Sequence, residues 1–475
     1  MISQVTTTPA PIEAAADGAE LRLWGPEYRG LVVGVVGVVV AVAFEAIAVA
    51  TAMPVAAREL HGLRGYGLAF SVFLTTSLLG MVVAGDESDR RGPVRPFAVA
   101  AAAFATGLLL AGLAPSMWVL VLARALQGFG AGLNIVSLYV VVGRAFPAGL
   151  RPRVFSAISS GWILPSLVGP PIAGLLADHL SWRWVFLGVL PLLLGAVLLV
   201  RPHLIGMDGP AADAVAGPQR RRRLLPALVA AAGVGLLQLG GQLLADVAVP
   251  ASLLVAAGVV LLALGLPRLL PRGAFRLARG LPTVVVMRGV LAGAFFGAET
   301  FLPLMLVEQR GLATTLAGAS LTGAALTWSL GAWLQGRPGL RTPRWVLLTL
   351  GFVLVLAGIG LAALATSPDV PAATAAVGWT VAGLGMGLGL TSLSVLVLEL
   401  SAPGEQGANA SALQVSDALG SIVLIGTAGA IFAGLASGGG SPGATPFLVI
   451  DAVMASVCVG GALVAHRVRP VDDTR

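Results

Sequence analysis

Ionisable side chains inside long apolar segments are the chemically informative feature of this 475-residue chain. Glu45 lies near the middle of the first apolar segment, and Arg124 lies within the fourth. A carboxyl group in hydrocarbon holds its proton until a cation stabilises the anion, so such an acid can act as a proton-binding site. Arginine does not deprotonate and can therefore set the proton affinity of a neighbouring acid. The predicted proton-coupling residues are Glu45, Arg124, Glu299 and Asp417.

The composition excludes a water-soluble protein and disfavours an enzyme. Hydrophobic residues make up 57% of the chain and charged residues only 11%, against about 25% charged in soluble domains. All 29 basic residues are arginine, which excludes lysine chemistry, and the single cysteine, Cys458, excludes a disulfide framework. The four histidines are too scattered for a metal site, and no nucleophile with a base occurs. We therefore expect no enzyme, no metal and no cofactor.

Fourteen apolar segments are long enough to cross a membrane, because a helix needs about 20 residues to span about 30 Å of hydrocarbon. Only residues 245–248 separate the seventh span from the eighth, and merging these two, or laying them flat, leaves twelve or thirteen. The fold class predicted is an all-α membrane protein. The predicted spans are 30–56, 66–85, 96–115, 116–143, 154–178, 184–206, 224–245, 249–270, 282–307, 312–336, 344–366, 370–398, 408–436 and 445–466.

The arginines predict the orientation, because basic loops resist translocation. With the N-terminus inside, 23 of the 29 arginines fall in cytoplasmic segments and only four in outer segments. This split predicts that both termini are cytoplasmic and that the number of crossings is even, hence fourteen or twelve. We expect a multi-pass protein of a bacterial inner membrane. The polar N-terminus lacks a basic start followed by a short apolar run, so we expect no signal peptide.

The longest polar interruption divides six spans from eight. It ends in four arginines, which predicts a cytoplasmic linker that binds lipid phosphates. We expect two pseudo-symmetric six-helix bundles with an extra helix pair between them, since internal duplication is common in transporters. The predicted units are a cytoplasmic tail 1–29, a first bundle 30–206, the linker 207–223, an inserted helix pair 224–270, a second bundle 271–466 and a cytoplasmic tail 467–475.

A polar stretch between the second and third spans carries Gly85, Asp89, Arg90 and Gly92. Small residues permit a tight turn, and the arginine can neutralise a nearby acid. The stretch resembles the loop signature of the major facilitator superfamily, G-x-x-x-D-R-x-G-R/K, with Pro93 at a usually basic place. The resemblance implies a gating loop on the inner side, in which Asp89 and Arg90 form a latch. Two extra acids leave the charge pairing of the loop open.

The first span resembles the first-helix motif of drug:proton antiporters, in which an acid precedes a proline. Glu45 and Pro54 have the matching spacing, while Ile47 replaces the usual threonine and Ala50 the usual asparagine. The resemblance implies that the acid couples transport to protons. A purely structural acid is the alternative.

The fourth span resembles the superfamily motif R-x-x-Q-G-x-G through Arg124, Gln127, Gly128 and Gly130. A mid-span arginine must be paired or face water. Arg124 is therefore expected to tune a nearby acid. The alternative is that its side chain snorkels to the outer surface.

The fifth span resembles the exporter-associated signature G-x-x-x-G-P-x-x-G-G. Gly169, Pro170 and Gly174 match, while Ala173 and Pro165 stand at two of its glycine places. Prolines bend a helix and glycines let a neighbour approach closely, so we expect a bent, tightly packed interface helix. Within the superfamily the resemblance implies export and not uptake.

The second half is less tightly marked. If the extra helix pair is an insertion, the helix that carries Glu299 corresponds to the first span. Glu45 and Glu299 are then expected to face one cavity. For Asp417 and Asp451, pairing with a basic group or a helix end is the alternative role. For the tryptophan side chains of this half, packing inside the protein is the alternative to lining a substrate cavity. The predicted lining of the substrate cavity is Gln127, Asn134, Trp162 and Trp328.

These features predict a proton-coupled antiporter that exports amphipathic, drug-like or cationic small molecules by alternating access. The resemblance covers nearly the whole chain and points to the fourteen-helix drug:proton antiporter branch. The expected energy source is a proton gradient. The expected partners are a small-molecule substrate and membrane lipids, with no nucleic acid and a monomeric state. Export of a lipid or glycolipid of the cell envelope is the alternative, whereas a passive channel is disfavoured by the lack of charge rings.

Overall fold

Long α-helices dominate the computed structural model. This is expected because each apolar segment in lipid must form the hydrogen bonds of its own backbone. The structure describes residues 23–147, 150–205, 207, 209, 218–243, 248–335, 342–402, 406–436 and 442–469. Within these ranges there are fifteen α-helices and no β-strand. In chain order the helices are α1 (Arg29–Glu59), α2 (Tyr66–Arg91), α3 (Val94–Gly112), α4 (Met117–Ala145), α5 (Arg151–His179), α6 (Arg183–Leu187), α7 (Val189–Val200), α8 (Pro218–Leu243), α9 (Ala248–Leu269), α10 (Leu281–Arg310), α11 (Thr314–Gln335), α12 (Arg344–Leu364), α13 (Ala373–Glu399), α14 (Gln406–Leu435) and α15 (Thr445–Val464).

Twelve segments of the described chain are long and apolar enough to cross a membrane. Helices α6 and α7 together form one of them, Arg183–Leu204. Helices α8 and α11 fall outside this set, since the apolar part of α8 is only Leu228–Gly241 and α11 is rich in glycine, serine and threonine. The seventh and eighth predicted spans are separate helices, because α8 ends at Leu243 and α9 begins at Ala248. The predicted all-helical membrane fold is confirmed.

The two halves of the chain repeat one packing pattern. In the first half α1 packs on α5 and α7, and α4 packs on both α2 and α3. In the second half α10 packs on α14 and α15, and α13 packs on both α11 and α12. These pairs correspond helix by helix when α1 is matched to α10 and α6 with α7 is counted as one helix. The halves therefore form two pseudo-symmetric six-helix bundles.

The inserted helices α8 and α9 pack on each other, and α8 also packs on one helix from each half, α2 and α14. A Cβ on Gly233 would lie 2.9 Å from the Gly258 carbonyl oxygen, so the two helices approach at glycines. Gln238 of α8 accepts a hydrogen bond from Thr75 Oγ1 of α2 at 3.4 Å and donates to the Ile422 carbonyl of α14 at 3.4 Å. The pair therefore covers the seam between the two halves.

The predicted linker and tails lie largely outside the described residues. Helix α8 begins at Pro218, inside the predicted linker 207–223, so the helical segment starts earlier than expected. Of the residues before it, only 207 and 209 are described, and the side chains of the four arginines at 220–223 are not. The linker's contact with lipid phosphates stays a prediction.

Candidate functional site

A buried ion pair joins α1 to α4 in the first bundle. Arg124 Nη1 donates to Glu45 Oε1, and the two side chains are only 2% and 0% exposed. The alternative in which Arg124 snorkels to the surface is therefore wrong. Each charge of a buried ion pair is stabilised by its partner, so loss of either charge costs stability.

Three further contacts hold the Arg124 guanidinium. Nη1 also donates to Gln127 Oε1 at 2.8 Å, and Nε donates to the Ala69 carbonyl oxygen at 3.3 Å. The guanidinium carbon lies 4.2 Å from the centre of the Phe73 ring, a cation–π contact. The arginine therefore keeps neutral partners on α2 and α4 if the carboxylate changes its charge.

Buried polar atoms without a partner occur beside this pair and further along α4. Glu45 Oε2, Gln127 Nε2 and both polar side-chain atoms of Asn134 have no hydrogen-bond partner among the described residues. Gln127 is 0% exposed and Asn134 is 1% exposed. Unpaired groups of this kind cost about 1–3 kcal/mol each. The two residues predicted to line the cavity are thus buried inside the first bundle here, and their contact with cargo stays a prediction.

Asp417 on α14 pairs with Arg288 on α10. Arg288 Nε donates to Asp417 Oδ2 at 2.6 Å, and its Nη1 donates to Ser394 Oγ at 3.2 Å. The two side chains are 13% and 22% exposed, so this pair is more open than the one in the first bundle. The pairing corresponds to the alternative role given to Asp417 from the sequence. Each ion pair uses one of the corresponding helices α1 and α10, but the second helices, α4 and α14, do not correspond.

Glu299 on α10 faces an aromatic cluster. Trp379 Nε1 donates to Glu299 Oε2 at 3.3 Å, and the fully buried indole stacks on Phe295 with ring centres 5.1 Å apart. Trp328 packs edge-on against the same Phe295 ring, 5.8 Å away. No contact between Glu45 and Glu299 occurs within the described ranges, and their facing one cavity stays a prediction.

The predicted gating loop is mostly helical. Helix α2 runs through Gly85 and ends at Arg91, and Gly92 then takes a φ of 88°, which favours glycine. The prediction of a loop beginning at Gly85 is therefore wrong. The span predicted from hydropathy ended before the helix does, because the last turns of α2 are polar.

Charge pairs one turn apart explain why α2 continues through this polar stretch. Arg90 Nε lies 3.5 Å from Asp86 Oδ2, and Arg91 Nη1 lies 2.9 Å from Glu87 Oε1. Such i,i+4 pairs stabilise a helix. The described partner of Arg90 is thus Asp86, whereas the side chain of Asp89 lies outside the described part of the chain. The Asp89–Arg90 latch stays a prediction.

The glycine and proline motif of α5 reaches the second bundle. A Cβ on Gly174 would lie 2.3 Å from Thr315 Cα of α11, and the Pro170 carbonyl oxygen also lies beside α11. At Gly169 the nearest atoms are 3.8 Å from such a Cβ, an ordinary contact. The close approach expected of these glycines therefore occurs at Gly174 and not at Gly169. Trp162, earlier on α5, is 40% exposed.

Polar contacts that the sequence analysis missed join the two halves at the same end. Asp178, at the end of α5, accepts hydrogen bonds from the backbone N–H groups of Thr314 and Thr315 at 3.1 and 2.8 Å. It therefore caps α11 from the other bundle. At the corresponding ends of α1 and α10, Arg58 pairs with Glu308. In the sequence, the only signals of this contact were an acid at the end of one helix and two threonines at the start of another. Neither signal shows that the two helix ends meet.

Helices α2 and α14 also meet at this end. The Tyr66 hydroxyl donates to the Thr300 carbonyl oxygen of α10 at 2.8 Å. A Cβ on Gly67 would lie 2.4 Å from Gly429 Cα of α14. Three helix pairs, α1–α10, α5–α11 and α2–α14, thus hold the halves together here. The structure is closed at the end where arginines are rare.

Replacing Gly174 with valine is expected to separate α5 from α11 at this end. The added carbons have no room against Thr315, and overpacking of this kind costs about 1–3 kcal/mol. Spin labels at exposed Leu180 and Leu316, in a Cys458→Ser background, would report a longer distance across the closed end.

Gly195→Val is the matched control for this change. A Cβ at Gly195 of α7 meets no atom within 4 Å, so the wild-type distance should persist. An unchanged distance in Gly174→Val would show that the close approach does not hold the closed end together.

These long helices and buried ion pairs define a multi-pass α-helical membrane protein built from two similar bundles. A family model described as the Major Facilitator Superfamily matches residues 33–425, most of the chain. The chain therefore belongs to the Major Facilitator Superfamily.

Curated relatives match parts of the chain. The multidrug transporter protein MdtP of Bacillus subtilis is 30% identical over 188 residues, which cover 38% of this chain and 35% of that protein. A probable multidrug-efflux transporter of Mycobacterium tuberculosis is 27% identical over 42% of each chain. The aspyridones efflux protein of Neocamarosporium betae is 26% identical over 71% of this chain and 62% of its own. The chain thus spans less than two thirds of the length of each.

Solved structures of transporters share the fold. A POT family transporter in complex with 5-aminolevulinic acid aligns with a TM-score of 0.66 and 13% identity, over 93% of this chain and 97% of that one. A bacterial homologue of the human lysosomal transporter Spinster, in an inward-facing and occupied conformation, aligns with a TM-score of 0.63 and 15% identity, over 93% and 96%. At these identities the likeness shows the fold alone.

Proposed function

We propose that this transporter is a proton-coupled antiporter that exports amphipathic small molecules by alternating access. The observation that carries the proposal is the fully buried Glu45–Arg124 ion pair. A transporter driven by a proton gradient needs a site inside the protein whose charge changes. A membrane carboxylate held by one buried arginine provides such a site.

Protonation of Glu45 removes the charge that binds Arg124. The arginine then retains its hydrogen bonds to Gln127 and the Ala69 carbonyl, together with the Phe73 ring. Arg124 on α4 therefore has hydrogen-bond partners both with and without the ion pair. What protonation removes is the attachment of α1, which carries Glu45. Proton binding thus changes how firmly α1 is held to α4.

Helix α1 carries this change to the contact between the halves. Thr51 follows Glu45 by six residues, about 9 Å along the helix axis. A Cβ on Gly318 of α11 would lie 2.3 Å from Thr51 Cγ2, so α1 and α11 are in close contact there. A shift of α1 must disturb this contact. Proton binding and closure of one end are therefore linked through a single helix.

The closed end is the outer end if the arginine-rich side is cytoplasmic. Trp162 on α5 and Trp333 on α11 lie far from that end and are 40% and 56% exposed. Cargo would then enter from the inside, and the proton would enter from the outside after the bundles rock. Asp89 with Arg90 would guard the inner side.

The cargo class rests on the relatives and on the buried charge. Relatives named as multidrug transporters support drug-like cargo, and one buried acid supports a cationic or amphipathic molecule. We extend the proposal to the fourteen-helix drug:proton antiporter branch, with Glu299 and Asp417 as further coupling residues. The protein would act as a monomer in a bacterial cell membrane, with both termini cytoplasmic and without cofactor or nucleic acid.

Transport in proteoliposomes tests this function. With an acidic lumen, the purified protein is expected to concentrate a lipophilic cationic dye inside the liposomes. Nigericin, which collapses the pH gradient, should abolish this uptake. Dye uptake that is independent of the pH gradient would contradict the proposal. Dissipation of the pH gradient without dye movement would also contradict it.

A further inference from the structure

A small pocket inside the second bundle contains an acid that the proposed mechanism does not use. It lies among α10, α12, α13 and α15, away from the Glu45–Arg124 pair of the first bundle. Apart from the acid and one indole N–H, its walls are hydrocarbon, aromatic or thioether. The side chains used in the argument are Phe301, Leu302, Met305, Trp379, Phe447 and Asp451.

Asp451 is the only charged residue of α15, Thr445–Val464. The helix is held tightly in place, since a Cβ on Gly297 of α10 would lie 2.7 Å from Met454 Sδ, one turn away from the acid. Within the described residues Asp451 has neither an ion-pair partner nor a hydrogen-bond donor. An ionised carboxylate without a partner is costly inside a membrane, whereas the protonated acid avoids most of that cost.

Trp379 connects this acid to a second one. The indole lines the pocket with Asp451, and its Nε1 donates to Glu299 Oε2 at 3.3 Å. Trp379 is fully buried and stacked on Phe295, so its position is fixed by packing. One rigid indole therefore contacts Glu299 and lines the pocket that contains Asp451.

The other charged groups on helices around the pocket are engaged elsewhere. Arg288 is eleven residues before Glu299 on α10, about 16 Å along the axis, and Glu308 is nine residues after it, about 13 Å. The contacts that engage the charged groups of these helices are Arg288–Asp417, Arg58–Glu308, Arg344–Gln335 and the hydrogen bonds of Arg310, at the end of α10, to the carbonyl oxygens of Ser367 and Val370. Glu399 on α13 and His466 after α15 are exposed at helix ends. Glu299 is thus the titratable group nearest to the pocket.

We propose that Asp451 is a further proton-binding carboxyl group of this transporter, in a pocket that is also lined by Trp379, the hydrogen-bond donor to Glu299. The pocket is too small for a drug-like molecule, and its apolar walls suit a neutral acid. The use of this proton in transport rests on the proposed function, whereas the binding of the proton does not. The site adds one proton to each transport cycle beyond those bound by the coupling residues proposed above.

Carboxyl labelling of the full chain in liposomes tests the binding. Dicyclohexylcarbodiimide reacts with protonated carboxyl groups in apolar surroundings: the acid proton moves to a carbodiimide nitrogen, the carboxylate oxygen adds to the central carbon, and rearrangement gives a stable N-acylurea. At pH 7 we expect Asp451 to be labelled at least about tenfold more than Asp417, whose anion Arg288 stabilises. Labelling should fall as the pH is raised and should persist in Glu45→Gln.

Three results would overturn the binding site. Equal labelling of Asp451 and Asp417 at pH 7 would mean that Asp451 is ionised. Labelling of Asp451 that does not change with pH would also contradict the proposal. Suppression by added Na⁺ at constant pH would make the pocket a cation site. None of these readouts depends on export, so they stand apart from a failure of the proposed function.

Proton stoichiometry tests the use of the site. In proteoliposomes the number of protons exchanged per dye, taken from the pH gradient that just balances a known dye gradient, is expected to fall by one in Asp451→Asn. Asp451→Glu, which keeps a carboxyl group, should restore the wild-type number. An unchanged number in Asp451→Asn would show that the bound proton is not part of the cycle.

Discussion

Replacing Glu45 with glutamine is expected to abolish proton-driven export while leaving the protein folded. The amide keeps the shape of the protonated acid but cannot carry the charge that binds Arg124. Without a titrating group here, a pH gradient no longer changes the contact between α1 and α4. Dye uptake driven by an acidic lumen should fall to the level of protein-free liposomes. The fluorescence of the dye inside the liposomes measures this directly.

Glu59→Gln is the matched control for this prediction. It makes the same substitution on the same helix, in an ion pair with Arg183 whose side chains are 49% and 31% exposed. Exposed pairs contribute only about 0–1 kcal/mol, so uptake should stay near the wild-type rate. If Glu45→Gln still concentrates dye with the wild-type dependence on pH, the coupling residue has been assigned wrongly.

Most of the fold could be predicted because lipid imposes it. A spanning segment must be helical and must contain about 20 apolar residues, so counting such segments locates the helices. The ends of the helices were harder to predict from the sequence. Helix α2 continues to Arg91 because ion pairs one turn apart extend it through residues that hydropathy counts as a loop.

The partners of the charged groups were the part that the sequence could not supply. The spacing of the fourth span predicted that Arg124 tunes an acid, but only the fold shows that it binds Glu45, 79 residues earlier. Arg288 and Asp417 are 129 residues apart, and their pairing was one of two open roles. The capping of α11 by Asp178 depends on two bundles meeting, which no local pattern encodes.

The two ion pairs differ in a way that favours the first as the coupling site. The Glu45–Arg124 side chains are at most 2% exposed, whereas those of Arg288 and Asp417 are 13% and 22% exposed. Water near the second pair lowers the free energy difference between its paired and parted states. A proton bound by Glu45 therefore changes the packing free energy of its helix more than one bound by Asp417.

Replacing Arg124 with methionine is expected to destabilise the protein more than replacing its partner does. The variant leaves the Glu45 carboxylate buried without a cation, and breaking a buried pair in this way costs about 3–5 kcal/mol. Glu45→Gln costs less, because the arginine keeps its contacts to Gln127 and Phe73. The stability of Arg124→Met should fall as the pH rises, since the unpaired anion forms only at higher pH. Unfolding midpoints in detergent between pH 6 and pH 9 measure this.

The double variant Glu45→Gln/Arg124→Met separates stability from coupling. It removes both charges together, and replacing a whole buried pair with neutral side chains is often close to neutral for stability. We expect it to recover most of the stability lost in Arg124→Met, with a coupling free energy in the double-mutant cycle at least as large as the recovered stability, and to remain inactive in pH-driven uptake. Additive losses in the cycle would mean that the two side chains do not stabilise each other. Restored uptake in the double variant would mean that neither charge is needed to bind the transported proton.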